Sequence, residues 1–213
     1  MKIRSAIIPM LLSSTLFTAA YAADVPEGTQ LAATQVFTYR VLDEFSSFDP
    51  QVVEDVNGSE VVRDLFEGLY NQNADGEIVP GVALSHTVSE DNKTYTFTLR
   101  DDAKWSDGTP VTAGDFVYAW QRAVEPELAS PYAWYMELMS IANGAAIIAG
   151  EKPITDLGVS APDDHTLVVQ LSQPLPYFAK MVSHATTFPS PKWVIDEHGS
   201  EWTRPENIVS NGA

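Results

Sequence analysis

KTYTFTLRDDAKWSDGTPVTAGDFVYAWQR, residues 93–122, sets the fold class, because a strand, a tight turn and a capped helix follow one another within it. Tyr95, Phe97 and Leu99 alternate with Thr94, Thr96 and Thr98, a period of two that makes one face apolar and the other hydroxylated. Such a strand is half-buried, rings inward. Ser106, Asp107 and Gly108 then supply turn chemistry. Thr112, followed by Asp115, starts a helix, since both side chains can satisfy N–H groups that no earlier turn reaches. Phe116, Trp120, Ala123 and Val124 fall on one stripe of it, and Pro126 closes it.

Outward from this stretch the same signals recur. A hairpin is expected around Ala74, Asp75 and Gly76, and Asp163-Asp164 joins strands expected at 158–161 and 166–171, where Leu167, Val169 and Leu171 alternate with Val168, Gln170 and Ser172. Asn57 is placed to cap a helix through Phe66 whose Val61, Val62, Leu65 and Phe66 face a core. A further strand is expected over 35–41, with Val36, Tyr39 and Val41 apolar, and Asp49-Pro50 ends the loop after it. A helix entered through Ser130 has Pro131 in its first turn. Strands interrupted by helices in this way predict a mixed α/β fold.

Composition excludes several classes of function. Asp and Glu number 29 against 12 Lys and Arg, a formal charge of −17 in 213 residues. A surface so acidic repels phosphate backbones and anionic lipid, so nucleic acid is not a partner. Residues 1–22 read as a secretory leader: Lys2 and Arg4 are its positive end, 7–17 its apolar run, and Ala20-Tyr21-Ala22 a cleavage site before Ala23. Pro9, Ser13, Ser14 and Thr15 interrupt that run, which falls short of the roughly 20 apolar residues that span a bilayer. With no Cys in the chain, neither a disulfide nor a lipid at the leader junction is available. The expectation is a free protein of the Gram-negative periplasm, with length for one good core or two small ones.

No cofactor or metal is implied. Asn71, Asn73, Asp75 and Gly76 mimic the first half of a calcium loop, but Val82 stands where a bidentate Glu is required. His86, His165, His184 and His198 show no short-range pairing, and zinc would need long-range convergence. The acidic pairs Asp43-Glu44 and Asp101-Asp102 invite a glycosidase reading, yet adjacent residues rarely face one another across a cleft, so the chain is not read as an enzyme. Trp105, Trp120 and Trp134 invite a carbohydrate-binding module; Trp120 lies on the buried stripe and Trp105 precedes a turn, which favours core packing.

The run TLRDDAKWSDGTPVTAGDFVYAWQR, with RDLFEGL at 63–69, ASPY at 129–132, the stretch 163–178 and NIVSNGA at 207–213, resembles the bacterial extracellular solute-binding proteins of family 5. These deliver oligopeptides to ABC importers, and the oligopeptide-binding and murein-peptide-binding branches are the most similar. The resemblance implies a partial periplasmic-binding-protein type II fold. Residues 23–66 and 192–213 would belong to an incomplete first lobe, and 67–191 to a contiguous α/β domain. The opposing lobe would be absent, because members of the family are more than twice this length and NGA is normally followed by Tyr or Phe. It further implies an oligopeptide ligand, importer membrane subunits as partners, a monomer, and no catalysis. Ligand contacts carried over are Glu54, Asp55 and Val56, through their main chain, and Tyr132. On the residues alone, Glu54 and Asp55 are equally solvated loop acids, and Tyr132 equally part of a core stripe with Tyr135, Met136 and Met139. Close relatives carry Gly where Asp55 stands. One side of a clamp is expected to bind peptides more weakly than about 1 mM.

Overall fold

The structure is a computed structural model that describes residues 28–30, 33–34, 36 and 38–212, so the leader at 1–22 lies outside the described residues. Residues 1–40 and 41–213 are two separate units. In the first, no described residue lies in a helix or strand. The strand expected over 35–41 is therefore corrected at its described positions, which include Val36, 77% exposed. Tyr39 is 48% exposed as well, so the apolar side chains read there bury too little surface to hold a strand.

The second unit is built around the quoted stretch. Strand β1 (Tyr70–Gln72) pairs with β2 (Ile78–Pro80) as the expected hairpin, and Asn73 Oδ1 closes its turn by accepting the N–H groups of Asp75 and Glu77. Strands β3 (Ala83–Val88), β4 (Thr94–Leu99), β5 (Val159–Asp163) and β6 (Thr166–Gln170) form an antiparallel sheet in the order β3-β4-β6-β5. Tyr95 and Phe97 of β4 lie opposite Val169 and Leu167 of β6, and all four are buried. Strand β3 has no counterpart in the sequence reading. It is an edge strand with a register shift between Ala83 and Ser85, and Leu84 and Val88 face outward, which breaks the apolar period.

Helix α2 (Ala113–Val124) packs against β5 and β6 with Phe116, Ala119, Trp120 and Ala123 buried. Thr112 and Asp115 form the capping box, and the buried Asp115 carboxylate also accepts the Trp105 indole N–H at 3.3 Å. Burial pushes its pKa up. The turn before α2 is as expected, with Gly108 at φ 89 and Asp107 accepting the Thr109 N–H. The remaining helices are α1 (Val56–Leu65), α3 (Ala133–Leu138), α4 (Gly144–Ile148), α5 (Phe178–Met181) and α6 (Lys192–His198).

Two helix starts differ from expectation. Asp55, not Asn57, caps α1: its carboxylate accepts the Gly58 N–H at 2.7 Å while also holding the N–H and hydroxyl of Ser46. Both residues are good caps, and Ser46, nine positions upstream, decides between them. Helix α3 starts at Ala133 rather than at Ser130, whose hydroxyl accepts the Tyr132 N–H at 3.2 Å in the turn before it and donates to the Gln51 carbonyl at 2.6 Å.

A buried polar network ties distant segments together. Arg122 donates to both oxygens of Asp49, at 2.9 and 2.6 Å, and to Gln51 Oε1 at 3.0 Å. Trp202 Nε1 donates to Asp49 Oδ2, Ser190 Oγ to Gln51 Oε1, and Gln51 Nε2 to the carbonyls of Thr186 and Phe188. The charged pair at its centre is fully hydrogen-bonded, as buried charge requires, while the buried Thr186 hydroxyl at its edge has no partner among the described residues. The segment after α6 is docked separately. Asn211 exchanges hydrogen bonds with both main-chain groups of Glu67, and the Gly212 N–H donates to the Leu65 carbonyl at 2.8 Å. A Cβ at position 212 would stand 2.5 Å from the Asp64 carbonyl oxygen, so only Gly closes this contact.

Candidate functional site

Helix α1 presents two faces. Val62 is buried and Leu65 packs against the core, while Val56, Ser59, Glu60 and Arg63 recur at helical spacing on a polar side. That side forms one wall of an open hollow of about 270 Å3, completed by Glu54, Asp55, Tyr132, His184 and Ala185. The four residues expected from the sequence, Glu54, Asp55, Val56 and Tyr132, thus border a single depression, although 76 positions separate Val56 from Tyr132.

Their states differ. Val56 is 74% exposed and Glu54 is also exposed. Among the described residues, no backbone partner takes up the N–H or C=O of Glu54 or the N–H of Asp55, which leaves main-chain donors and an acceptor at the rim. The Asp55 side chain is committed elsewhere. The Ser46 N–H, the Gly58 N–H and the Ser46 hydroxyl hold its pKa down at about 2. That side chain ties the loop at Ser46 to the start of α1.

The opposite wall is aromatic. Ala129 adopts a left-handed backbone, φ 52, that Cβ-bearing residues rarely take, and the following turn delivers Ser130 to Gln51 and Tyr132 to the hollow. The Tyr132 ring lies 4.7 Å from that of His184, which is stacked on Tyr135 at 4.5 Å. Tyr135 donates its hydroxyl to the Met181 carbonyl, and Met136 and Met139 are fully buried. The stripe expected at this helix therefore divides: the methionines and most of Tyr135 serve the core, and Tyr132 stays half-exposed at the rim. Trp105 and Trp120 are buried, as expected, whereas Trp134 is 58% exposed.

His184, Ser59, Glu60 and Arg63 were not read from the sequence as site residues. The last three had a signal, the polar stripe of α1. His184 had none, because it arrives from a separate turn (Ala185–Thr187) that carries no periodic pattern. Its Nδ1 accepts the Thr186 N–H at 3.2 Å, which places the proton of the neutral ring on Nε2. Burial first, and the nearby Arg63 charge second, push its pKa down to about 4. An unfolded histidine near 6.5 binds a proton that the folded one refuses, so the contribution is complete above pH 6.5 and is lost as pH falls toward 4. With partial solvent screening, unfolding in urea at pH 7 and pH 4.5 should differ by about 1–2 kcal/mol more in the wild type than in His184→Asn. The asparagine keeps an acceptor for the Thr186 N–H but does not titrate. Equal pH responses would contradict a neutral His184.

Comparison with known proteins gives a consistent set of likenesses. The model of the bacterial extracellular solute-binding proteins, family 5 Middle, matches residues 77–213. The periplasmic oligopeptide-binding protein OppA of Escherichia coli is 55% identical over 194 residues, which cover 91% of this chain and 36% of that protein. The periplasmic murein peptide-binding protein MppA of the same organism is 52% identical over 193 residues, with the same two coverages. The chain thus spans about a third of the length of these relatives. Among solved structures, Haemophilus influenzae OppA in complex with the peptide RPPGFSPFR superposes with a TM-score of 0.77 at 46% identity, covering 78% of this chain and 33% of that one.

Proposed function

Because the chain belongs to the bacterial extracellular solute-binding proteins of family 5, we propose that it supplies one wall of an exported oligopeptide receptor serving an ABC importer. The wall holds its ligand by main-chain pairing at 54–56 and performs no catalysis. The observation that carries this reading is the shared hollow: Glu54, whose main-chain groups have no backbone partner among the described residues, Asp55 and Val56 line the same depression as Tyr132. An extended peptide needs such groups, because strand-like pairing gives affinity without reading side chains. A half-exposed phenol adds an apolar face and one polar handle suited to any peptide backbone. Export would proceed through the leader at 1–22, a reading that a mature N-terminus other than Ala23 would contradict. A monomer, and importer membrane subunits as partners, complete the proposal.

Magnitudes set the expected affinity of the 213-residue chain. Main-chain hydrogen bonds contribute about 0.5–1.5 kcal/mol each, whereas micromolar binding needs about 8 kcal/mol after the ligand's ordering is offset. Titration with trialanine, followed by amide chemical shifts, should move residues 54–59 with a dissociation constant above about 1 mM. Tyr132→Ala should weaken this several-fold. Maltotriose should leave the same amides unmoved. Low-micromolar binding of trialanine would overturn the expected weakness of this chain, and shifts that follow the sugar and centre on Trp134 would replace the peptide reading with another.

The division into 23–66 with 192–213, against 67–191, is also proposed, as a difference in stability rather than in contact. Asp49 and Gln51 already cross it through their buried hydrogen bonds with Arg122.

A further inference from the structure

Arg63 borders three adjoining hollows: the one described above, one of about 180 Å3 shared with Asn71, Gln72, Ser183 and Phe188, and one of about 370 Å3 beside Glu67 and Gly212. In a chain of formal charge −17, its guanidinium makes no ion pair or hydrogen bond among the described residues. The acid Glu67 of the third hollow is taken by Arg100 at 2.6 Å, and His184 stays neutral beside Arg63, so none of these groups forms an ion pair with it.

The 180 Å3 hollow differs in character from its neighbour. The first hollow carries the exposed acid Glu54 with Glu60, whereas the residues lining the second contribute one cation, two carboxamides and a hydroxyl, with no acid. The Asn71 carboxamide accepts the Gly68 N–H, which orients its NH2 group away from that contact, and the Gln72 side chain is exposed. A guanidinium fork with two amide donors is the donor set that holds a carboxylate, and Phe188 supplies an apolar wall.

We propose that Arg63, with Asn71 and Gln72, forms a carboxylate subsite adjoining the peptide hollow, so that a ligand paired at 54–56 is selected for an acidic group reaching past Arg63. The inference rests on the proposed function above. The carboxylate has two possible sources, an acidic side chain and a free C-terminus.

Three peptides distinguish them in amide-shift titrations of the 213-residue chain: Ala-Ala-Glu amide, Ala-Ala-Gln as the free acid, and Ala-Ala-Gln amide. At least one of the first two should bind roughly tenfold more tightly than the third, and the tighter one identifies the source. Asn71 and Gln72 side-chain amides should shift with it. In Arg63→Gln the advantage should vanish, with all three peptides still moving residues 54–59, and Arg63→Lys should restore part of it. Arg63 is exposed and glutamine is a comparable helix former, so the circular dichroism and urea midpoint of the variant should match the wild type. Equal affinities in the wild type, or an advantage that survives Arg63→Gln, overturn the subsite and leave the peptide reading intact. An Arg63-dependent preference without shifts at 54–59 upholds the subsite and sinks pairing at 54–56. Silence at both overturns both.

Discussion

Arg122→Met is expected to lower the unfolding free energy by about 3–5 kcal/mol, the range found when one partner of a buried ion pair is removed. Arg122 and Asp49 are 9% and 5% exposed, and their two-pronged contact supplies half of the hydrogen bonds that carboxylate accepts. Burial opposes the charge on Arg122, but the hydrogen bonds and charge of Asp49 more than offset it and raise its pKa. Methionine fills similar volume without the charge, so Asp49 is left buried with the Trp202 N–H and one local backbone donor. The penalty belongs to the stranded acid rather than to lost attraction. Arg122→Met combined with Asp49→Leu should therefore recover a large part of the loss, and urea melts of the four proteins give the coupling directly. A single-variant loss below about 1 kcal/mol would mean that water reaches Asp49.

Trp202→Ala is expected to lose a further 3–5 kcal/mol, roughly the range for deleting a large buried aromatic side chain. Trp202 is fully buried, meets Phe66 edge-on at 5.9 Å, and gives its N–H to Asp49. This variant also tests the proposed division of the chain. If 67–191 has stability of its own, native-state hydrogen exchange should show α1 and residues 199–212 losing protection while the central strands β4 and β6 keep most of theirs. Uniform loss across α1 and β4 would make residues 41–213 one cooperative unit.

What was legible in the sequence is local in origin. Tyr95, Phe97 and Leu99 announce β4 by alternation, and Thr112 with Asp115 announces α2 by capping, because each signal is completed within a few residues. What was not legible is decided at a distance. Ser46 holds Asp55 as the cap in place of Asn57, Ser130 reaches back to the Gln51 carbonyl, and Arg122 finds Asp49 from 73 positions away. The hollow shows the same split. Arg63 and Glu60 follow from the period of α1, but His184 depends on how the chain folds back after α5, which no spacing encodes.

Gln51 stands three residues before Glu54. Its carbonyl is fastened to Ser130, and its amide to Thr186 and Phe188, so one side chain and its own backbone brace the three stretches that surround the hollow. These stretches cannot drift apart independently. An incoming ligand meets a mould already set, and the freedom surrendered on capture falls on the ligand rather than on the protein. Any hinge that opens or shuts this surface must then pivot outside the triangle that Gln51 holds rigid.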